Sequence, residues 1–228
     1  MSGYVISPPA QTVLPVEGGG LFPVRRIYCV GRNYADHARE MGADPDREPP
    51  FFFSKPRDAV TTLQVVPYPP ETSDLHYEAE LVLALKGGGR NLDPDDALSL
   101  VYGAAAGVDL TRRDLQAKAK KAGRPWDTAK GFDASAPIGL IRPGPAPQSG
   151  RVSLKVNGDI RQDGDLADMI WSDAEIIAHL SKFFELAPGD LVFTGTPAGV
   201  GAIRPGDEVD ASIAGLPPLR FKLAAPLS

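Results

Sequence analysis

The chain has 228 residues, 43% of them hydrophobic and 23% charged, which suits a globular protein with a sizeable core. A formal net charge of −5 with no long basic run argues against nucleic acid or an anionic membrane as the main partner, and leaves a small anionic substrate open. With Cys29 as its one cysteine it forms no internal disulfide and offers no Cys-based zinc site; with no apolar stretch of membrane-spanning length and no basic-then-apolar leader, its expected location is the cytoplasm.

The frequent prolines and glycines predict tight turns between short strands. Residues 1–24, carrying Pro8-Pro9, Pro15 and Gly18-Gly19-Gly20, read as a small extended arm or hairpin rather than a domain, and no linker splits residues 25–228. Ile27-Tyr28-Cys29-Val30 is a short buried strand broken by Gly31-Arg32-Asn33-Tyr34. Residues 36–41 read as a short helix stopped by Gly42, with His37 and Glu40 three apart on one face. Alone, such a pair reads first as a surface contact without a role. Residues 43–50 are a charged, proline-rich loop, and a short helix beside such a loop is what a lid requires. Lys55, directly after Phe51-Phe52-Phe53-Ser54, is either a snorkelling strand-end lysine or an anion contact.

Residues 75–85, Leu75-His76-Tyr77-Glu78-Ala79-Glu80-Leu81-Val82-Leu83-Ala84-Leu85, read as a strand ended by Gly87-Gly88-Gly89. Alternation puts Ala79, Leu81, Leu83 and Leu85 on a core face and Glu78, Glu80, Val82 and Ala84 on the other. Two glutamates entering an apolar run repel unless water or a cation screens them; the bland alternative is a solvated strand face. Asp93-Pro94 starts a helix running to about residue 102. Residues 103–109 are small and end in Asp109, a carboxylate that needs a partner if the segment is buried. Thr111 and Asp114 form an expected capping box for a helix reaching Gly123, with Arg113 and Gln116 on one face and Lys118, Lys120 and Lys121 on the solvated side. Residues 126–132 are irregular and hold Lys130, by itself as readily a surface residue as a site residue.

Further on, Asn157-Gly158 turns a hairpin over residues 154–161, and Ser172 with Glu175 opens a helix through about residue 184 in which His179 is a packed core histidine. Pro188-Gly189-Asp190 leads into the strand Leu191-Val192-Phe193. The glycine-rich loop at 194–201 lacks the Gly-Lys-Ser/Thr ending of a nucleotide loop, yet can offer N–H groups and a hydroxyl to a carboxylate. Residues 208–213 and 219–223 are closing strands.

Glu78, Glu80 and Asp109 are the three acids with buried-looking surroundings. Three carboxylates without Cys or a convincing His describe a hard-cation site for Mg²⁺ or Mn²⁺, with positions left for water and a bidentate substrate.

Several separated motifs carry a resemblance: Val30-Gly31-Arg32-Asn33-Tyr34-Ala35-Asp36-His37 running on to Glu40-Met41, Lys55-Pro56, Leu75-His76-Tyr77-Glu78-Ala79-Glu80-Leu81, Gly107-Val108-Asp109-Leu110-Thr111, Thr128-Ala129-Lys130-Gly131-Phe132, Leu154-Lys155-Val156-Asn157-Gly158 and Thr194-Gly195-Thr196-Pro197-Ala198-Gly199-Val200-Gly201. In this order they resemble the fumarylacetoacetate hydrolase superfamily over residues 25–223, and in length its short acylpyruvase branch. The resemblance implies a mixed α+β, β-rich fold with a partly rolled mixed sheet and peripheral helices, residues 25–228 forming one catalytic domain, usually as a homodimer. It implies Glu78, Glu80 and Asp109 as ligands of Mg²⁺ or Mn²⁺, and His37 and Glu40 as an acid–base pair on a lid helix. Lys130 would face the reacting carbonyl, and Lys55, Arg113, Gln116 and Thr196 would line the pocket of a small keto-acid substrate. The implied reaction is hydrolysis of an acylpyruvate, with residues 44–53 pointing to fumarylpyruvate, cleaved to fumarate and pyruvate in gentisate breakdown. Oxaloacetate decarboxylation or tautomerisation and isomerisation of 2-hydroxyhepta-2,4-diene-1,7-dioate are the neighbouring readings, and a non-catalytic metal- or carboxylate-binding protein is the remote one.

Overall fold

The computed structural model describes residues 3–40 and 48–225. The expected helix end at Met41-Gly42 and most of the expected loop at 43–50 lie outside the described residues.

The protein is a strand-rich α+β fold, as its sequence predicts, with its strands shared among several open sheets. The site is built on a six-stranded sheet in the order Arg142–Pro143, Val101–Val108, Ala79–Leu85, Asp190–Phe193, Arg26–Gly31, Phe51–Lys55. Neighbours in it run antiparallel except Asp190–Phe193 and Arg26–Gly31, which are parallel. A five-stranded sheet (Asp159–Asp165, Arg151–Val156, Glu208–Ile213, Leu219–Ala224, Val65–Pro67) includes the predicted hairpin, whose Asn157 and Gly158 both have positive φ, as a tight two-residue turn requires. The larger core cluster joins Leu81, Leu83, Ala104 and Ala106 of the first sheet to Val152, Leu154, Val209 and Phe221 of the second.

Every residue of Ala79–Leu85 is buried. The predicted core face (Ala79, Leu81, Leu83, Leu85) packs in the larger cluster, and Val82 and Ala84 pack in a second one with Ile27, Ala105, Leu191 and Phe193. The bland picture of a solvated second face is therefore overturned. Leu14, Val16 and Phe22 of the N-terminal hairpin Val13–Pro15/Leu21–Pro23 also belong to this second cluster.

Three local expectations are corrected. The helix capped by Asp93 spans only Pro94–Ala97, followed by a 3₁₀ turn at Leu98–Leu100, because Val101 is taken into the sheet opposite Leu85. Asp93 does accept from the Asp95 N–H. The Thr111/Asp114 box does not form: Asp114 accepts from the Thr72 hydroxyl at 2.7 Å, and Thr111 turns inward. The segment expected to be irregular contains a helical turn, Asp127–Lys130, with Lys130 at its end. The Ser172/Glu175 box is present on Asp173–Phe183; His179 there is half-buried, its ring 4.7 Å from that of Trp171 and edge-on to it. No helix among the described residues is long and apolar enough to cross a membrane.

The small-residue run Gly103–Gly107 is what lets this sheet close over both its faces. A Cβ on Gly107 would lie 2.5 Å from Val82 Cγ2 and 3.0 Å from the Phe193 ring. Gly107→Val is expected to destabilise the protein by about 1–3 kcal/mol through overpacking; a urea midpoint equal to that of the parent would contradict this account of the packing.

Candidate active site

The register of one strand pair assembles the acids. Ala79 lies opposite Val108 and Glu80 opposite Gly107, and the Asp109 N–H donates to the Glu78 carbonyl at 2.8 Å. Glu78 and Asp109 are thus cross-strand neighbours, and Glu80 is two residues along on the same face. Their carboxylate oxygens lie within 4.8 Å of one another, all buried. The sequence placed the two glutamates on one face; the antiparallel pairing adds the aspartate.

Three cations compensate this charge unevenly. Lys130 Nζ donates to Glu78 Oε2, Asp109 Oδ2 and Thr111 Oγ1, each at 2.7 Å. Arg113 Nη2 donates to Glu78 Oε1 at 2.5 Å. Lys55 Nζ lies 2.8 Å from Asp109 Oδ1 and donates to the Leu110 and Lys130 carbonyls. Glu80 has no ion pair among the described residues; its Oε2 accepts from the Gly195 N–H at 2.7 Å. Burial would raise the Glu78 carboxyl, but Lys130, Arg113 and His37 together hold it well below the usual carboxylate range. Glu80 goes the other way: burial, then the charges of Asp109 and Glu78, push it well above that range. A trio of carboxylate oxygens this close, one of them without a cation, fits a hard divalent ion by its donor chemistry.

Other predicted residues converge on the same cleft. Glu78, Glu80, His37, Arg113, Gln116, Lys130 and Thr196 all line it. His37 and Glu40 come from Ala35–Glu40, the helix that leaves the Arg26–Gly31 strand, with Nδ1 3.4 Å from Glu40 Oε2. Glu40 also accepts from the Gly199 N–H of the glycine-rich loop, at 3.2 Å. Burial lowers the His37 pKa; the charges of Glu78 and Glu40 only partly offset it. Burial thus favours the neutral imidazole.

Lys55 departs from its expected place. It does not line the cleft but sits fully buried against Asp109, at the end of the edge strand Phe51–Lys55, with Nζ turned inward to that carboxylate. Lys120 departs in the opposite sense. Expected on the solvated side, it is half-buried and lines the cleft. Its spacing explains this, since Arg113, Gln116 and Lys120 follow an i, i+3, i+7 pattern along one face of Arg113–Ala122.

Sequence reasoning missed a supporting layer. Asn33 donates to the carbonyls of Thr194 (2.8 Å) and Trp171 (2.9 Å), which holds the start of the glycine-rich loop. Gly195 there has φ +98°, and a Cβ on it would lie 2.7 Å from Asn33 Cβ, so glycine alone lets its N–H reach Glu80. Gln162 accepts from Ala79 N–H and donates to Thr196 Oγ1 and the Pro197 carbonyl. His76 links Asp74 (2.9 Å) to Arg113 Nε (3.3 Å). Asn33 and His76 lay inside quoted motifs; Gln162, alone in a hairpin, carried no signal.

Residues 26–224 match the Fumarylacetoacetate (FAA) hydrolase C-terminal family. Over 181 residues the chain is 44% identical to the fumarylpyruvate hydrolase of a Ralstonia species, covering 77% of this chain and 94% of that protein. Over 199 residues it is 41% identical to oxaloacetate tautomerase YcgM of Escherichia coli (strain K12), covering 85% and 90%. The crystal structure of fumarylpyruvate hydrolase from Pseudomonas aeruginosa in complex with Mn²⁺ and pyruvate is similar with a TM-score of 0.94 at 49% identity, covering 98% of this chain and all of that one (100%).

The uneven compensation has a measurable sign. With its folded pKa above the unfolded value, Glu80 costs stability as pH rises from the ordinary carboxylate range through that folded pKa. In chelator-treated, metal-free protein, Glu80→Gln is expected to melt higher than the parent, with a gap that widens between pH 4 and pH 8. A gap that is absent or that narrows with pH would show that Glu80 is already compensated.

Proposed function

The chain belongs to the fumarylacetoacetate hydrolase family, and we propose that within it the protein is a divalent-metal-dependent hydrolase of acylpyruvates, cleaving fumarylpyruvate and water to fumarate and pyruvate. The observation that carries the reading is one cleft holding both a half-compensated trio of carboxylates and a buried, carboxylate-oriented histidine. Simple binding of a metal or a carboxylate needs no such base. The likeness to a fumarylpyruvate hydrolase crystallised with Mn²⁺ and pyruvate supports the same choice of substrate and ion class.

In this reading Glu78, Glu80 and Asp109 hold Mg²⁺ or Mn²⁺, which when bound supplies positive charge for negative charge developing on the pyruvyl half. Lys55 is a positioning residue that fixes Asp109. Arg113 and Gln116, bonded to each other at 2.6 Å, present a rigid donor pair to the pyruvyl carboxylate. His37 turns Nδ1 to Glu40, leaving Nε2 to take a proton from water. The hydroxide adds to the distal carbonyl, where Thr196 donates to the oxyanion and the Lys130 ammonium, its three N–H groups held by Glu78, Asp109 and Thr111, lends its charge. The carbon–carbon bond then breaks with its electron pair going to the pyruvyl half, and that enolate carbon takes the proton back from His37. One water is thereby divided between the two acids.

Oxaloacetate tautomerisation is the second reading, favoured by the 41% identity to the E. coli tautomerase. It uses the same 2-oxo acid end but moves a proton at carbon without adding water. The two differ in their demand on His37. Exhaustive chelation is expected to abolish fumarylpyruvate hydrolysis, followed by loss of its diketo-enol absorbance, and added Mn²⁺ or Mg²⁺ to restore it. His37→Ala is expected to lower kcat for hydrolysis by about 10²–10⁴-fold while keeping part of any turnover of oxaloacetate. Equal loss of both activities, or no absorbance change with fumarylpyruvate and acetylpyruvate in the metal-loaded parent, would overturn the hydrolase assignment.

A further inference from the structure

Part of the cleft lining is not used by the chemistry above. Phe51, Phe53 and Trp126 line it, their rings meeting at 5.7 Å (Phe51–Trp126, edge-on) and 6.0 Å (Phe53–Trp126). Two cations flank these rings. Lys120 Nζ stands 5.2 Å from the Trp126 ring centre and the Arg32 guanidinium 5.5 Å from that of Phe51. Neither has an acidic partner among the described residues, unlike Arg113, Lys130 and Lys55, which are each paired with an acid. Lys120 is also disfavoured as a cation, first by burial and then by the charges of Arg113 and Arg32. Arg32 is held there by a left-handed backbone, φ +60°, which a non-glycine residue adopts only under strain. Two like charges lining the same cleft, neither with an acidic side chain beside it among the described residues, favour a carboxylate between them.

We propose that Lys120, assisted by Arg32, binds a second carboxylate at the far end of the substrate's acyl arm, with the flat arm lying along Phe51 and Trp126, so that the site selects dicarboxylic acyl chains over uncharged ones. This rests on the acylpyruvate reading of the same cleft and deepens it, by naming the residue that distinguishes an acid-terminated arm from a methyl group. The bland alternative is that Lys120 merely packs its stem on Trp126 and leaves its charge in water.

The test compares the Mn²⁺-loaded parent, Lys120→Met and Lys120→Arg on fumarylpyruvate and acetylpyruvate. The expected result is a fall of about tenfold or more in the selectivity ratio, kcat/KM for fumarylpyruvate over that for acetylpyruvate, in Lys120→Met, carried by KM, with substantial recovery in Lys120→Arg. A ratio left unchanged by Lys120→Met overturns the proposal while the hydrolase reading stands. Calorimetry separates the two further, since it needs no turnover. Fumarate should bind the parent more tightly than crotonate, which has the same chain without the second carboxylate, and Lys120→Met should erase that preference. Should the parent hydrolyse neither acylpyruvate, the hydrolase reading fails and the calorimetric comparison still decides the role of Lys120. A preference for fumarate that survives in Lys120→Met, or no preference in the parent, overturns the inference.

Discussion

Three carboxylates cannot be buried within 4.8 Å of each other without an answering charge, and most of what surrounds the cleft answers to that constraint. The antiparallel register forces Glu78 against Asp109, and burial on both faces of the Ala79–Leu85 strand removes the water that would otherwise screen them. Lys130 then has to reach into the trio, which explains why a helical turn forms at Asp127–Lys130 and why Thr111 gives up its capping position to accept from Lys130. Lys55 reaches Asp109 from the edge of the same sheet, three places from Ala79–Leu85. What these lysines and Arg113 leave uncovered is Glu80. The opposite pKa directions of Glu78 and Glu80, on neighbouring same-face positions of one strand, express that asymmetry.

The second layer converts this charge balance into geometry. Glu80 accepts a single N–H, from Gly195, and that N–H is aimed by the positive φ of the glycine and by Asn33 beneath it. Glu40 accepts from Gly199 in the same loop while it orients His37. One glycine-rich loop therefore touches both the acid trio and the histidine pair, so the relative placement of base and proposed metal depends on a backbone segment and not on side chains alone. Gln162 ties that loop back to Ala79, next to the acids themselves. Rigid elements thus hold the reacting groups, as positioning for catalysis demands.

How far the site was legible in the sequence follows from the range of each interaction. Glu78 and Glu80 share a face by strand period alone, and Arg113 with Gln116 share one by helix period, so both pairs could be read locally. Asp109 needed the guess that the small-residue run lies deep, which its lack of bulk justified. Lys55 could be marked as odd but not placed, because its partner is 54 positions away in the chain. Lys120 was misread although its i+7 spacing from Arg113 was available; adjacent Lys118 and Lys121 made it look like part of a solvated run. The boundary errors have the same origin. Val101 and Thr111 left the helix start and end that local propensity assigned them because the sheet and Lys130 claimed them.

The two relatives that act on different substrates are reconciled by the division of the cleft. In the proposed reading, a 2-oxo acid is recognised by the acid trio with Arg113, Gln116 and Lys130, an arrangement that a hydrolase and a tautomerase can share. What separates the reactions lies elsewhere, in whether His37 has a water to activate and in how long an arm the cleft accommodates. Under the proposal above, an acyl arm ending in a carboxylate is read by Lys120 beside Trp126. In that reading the aromatic residues and the two cations beside them bear on the choice of substrate, as the acids bear on the class of chemistry.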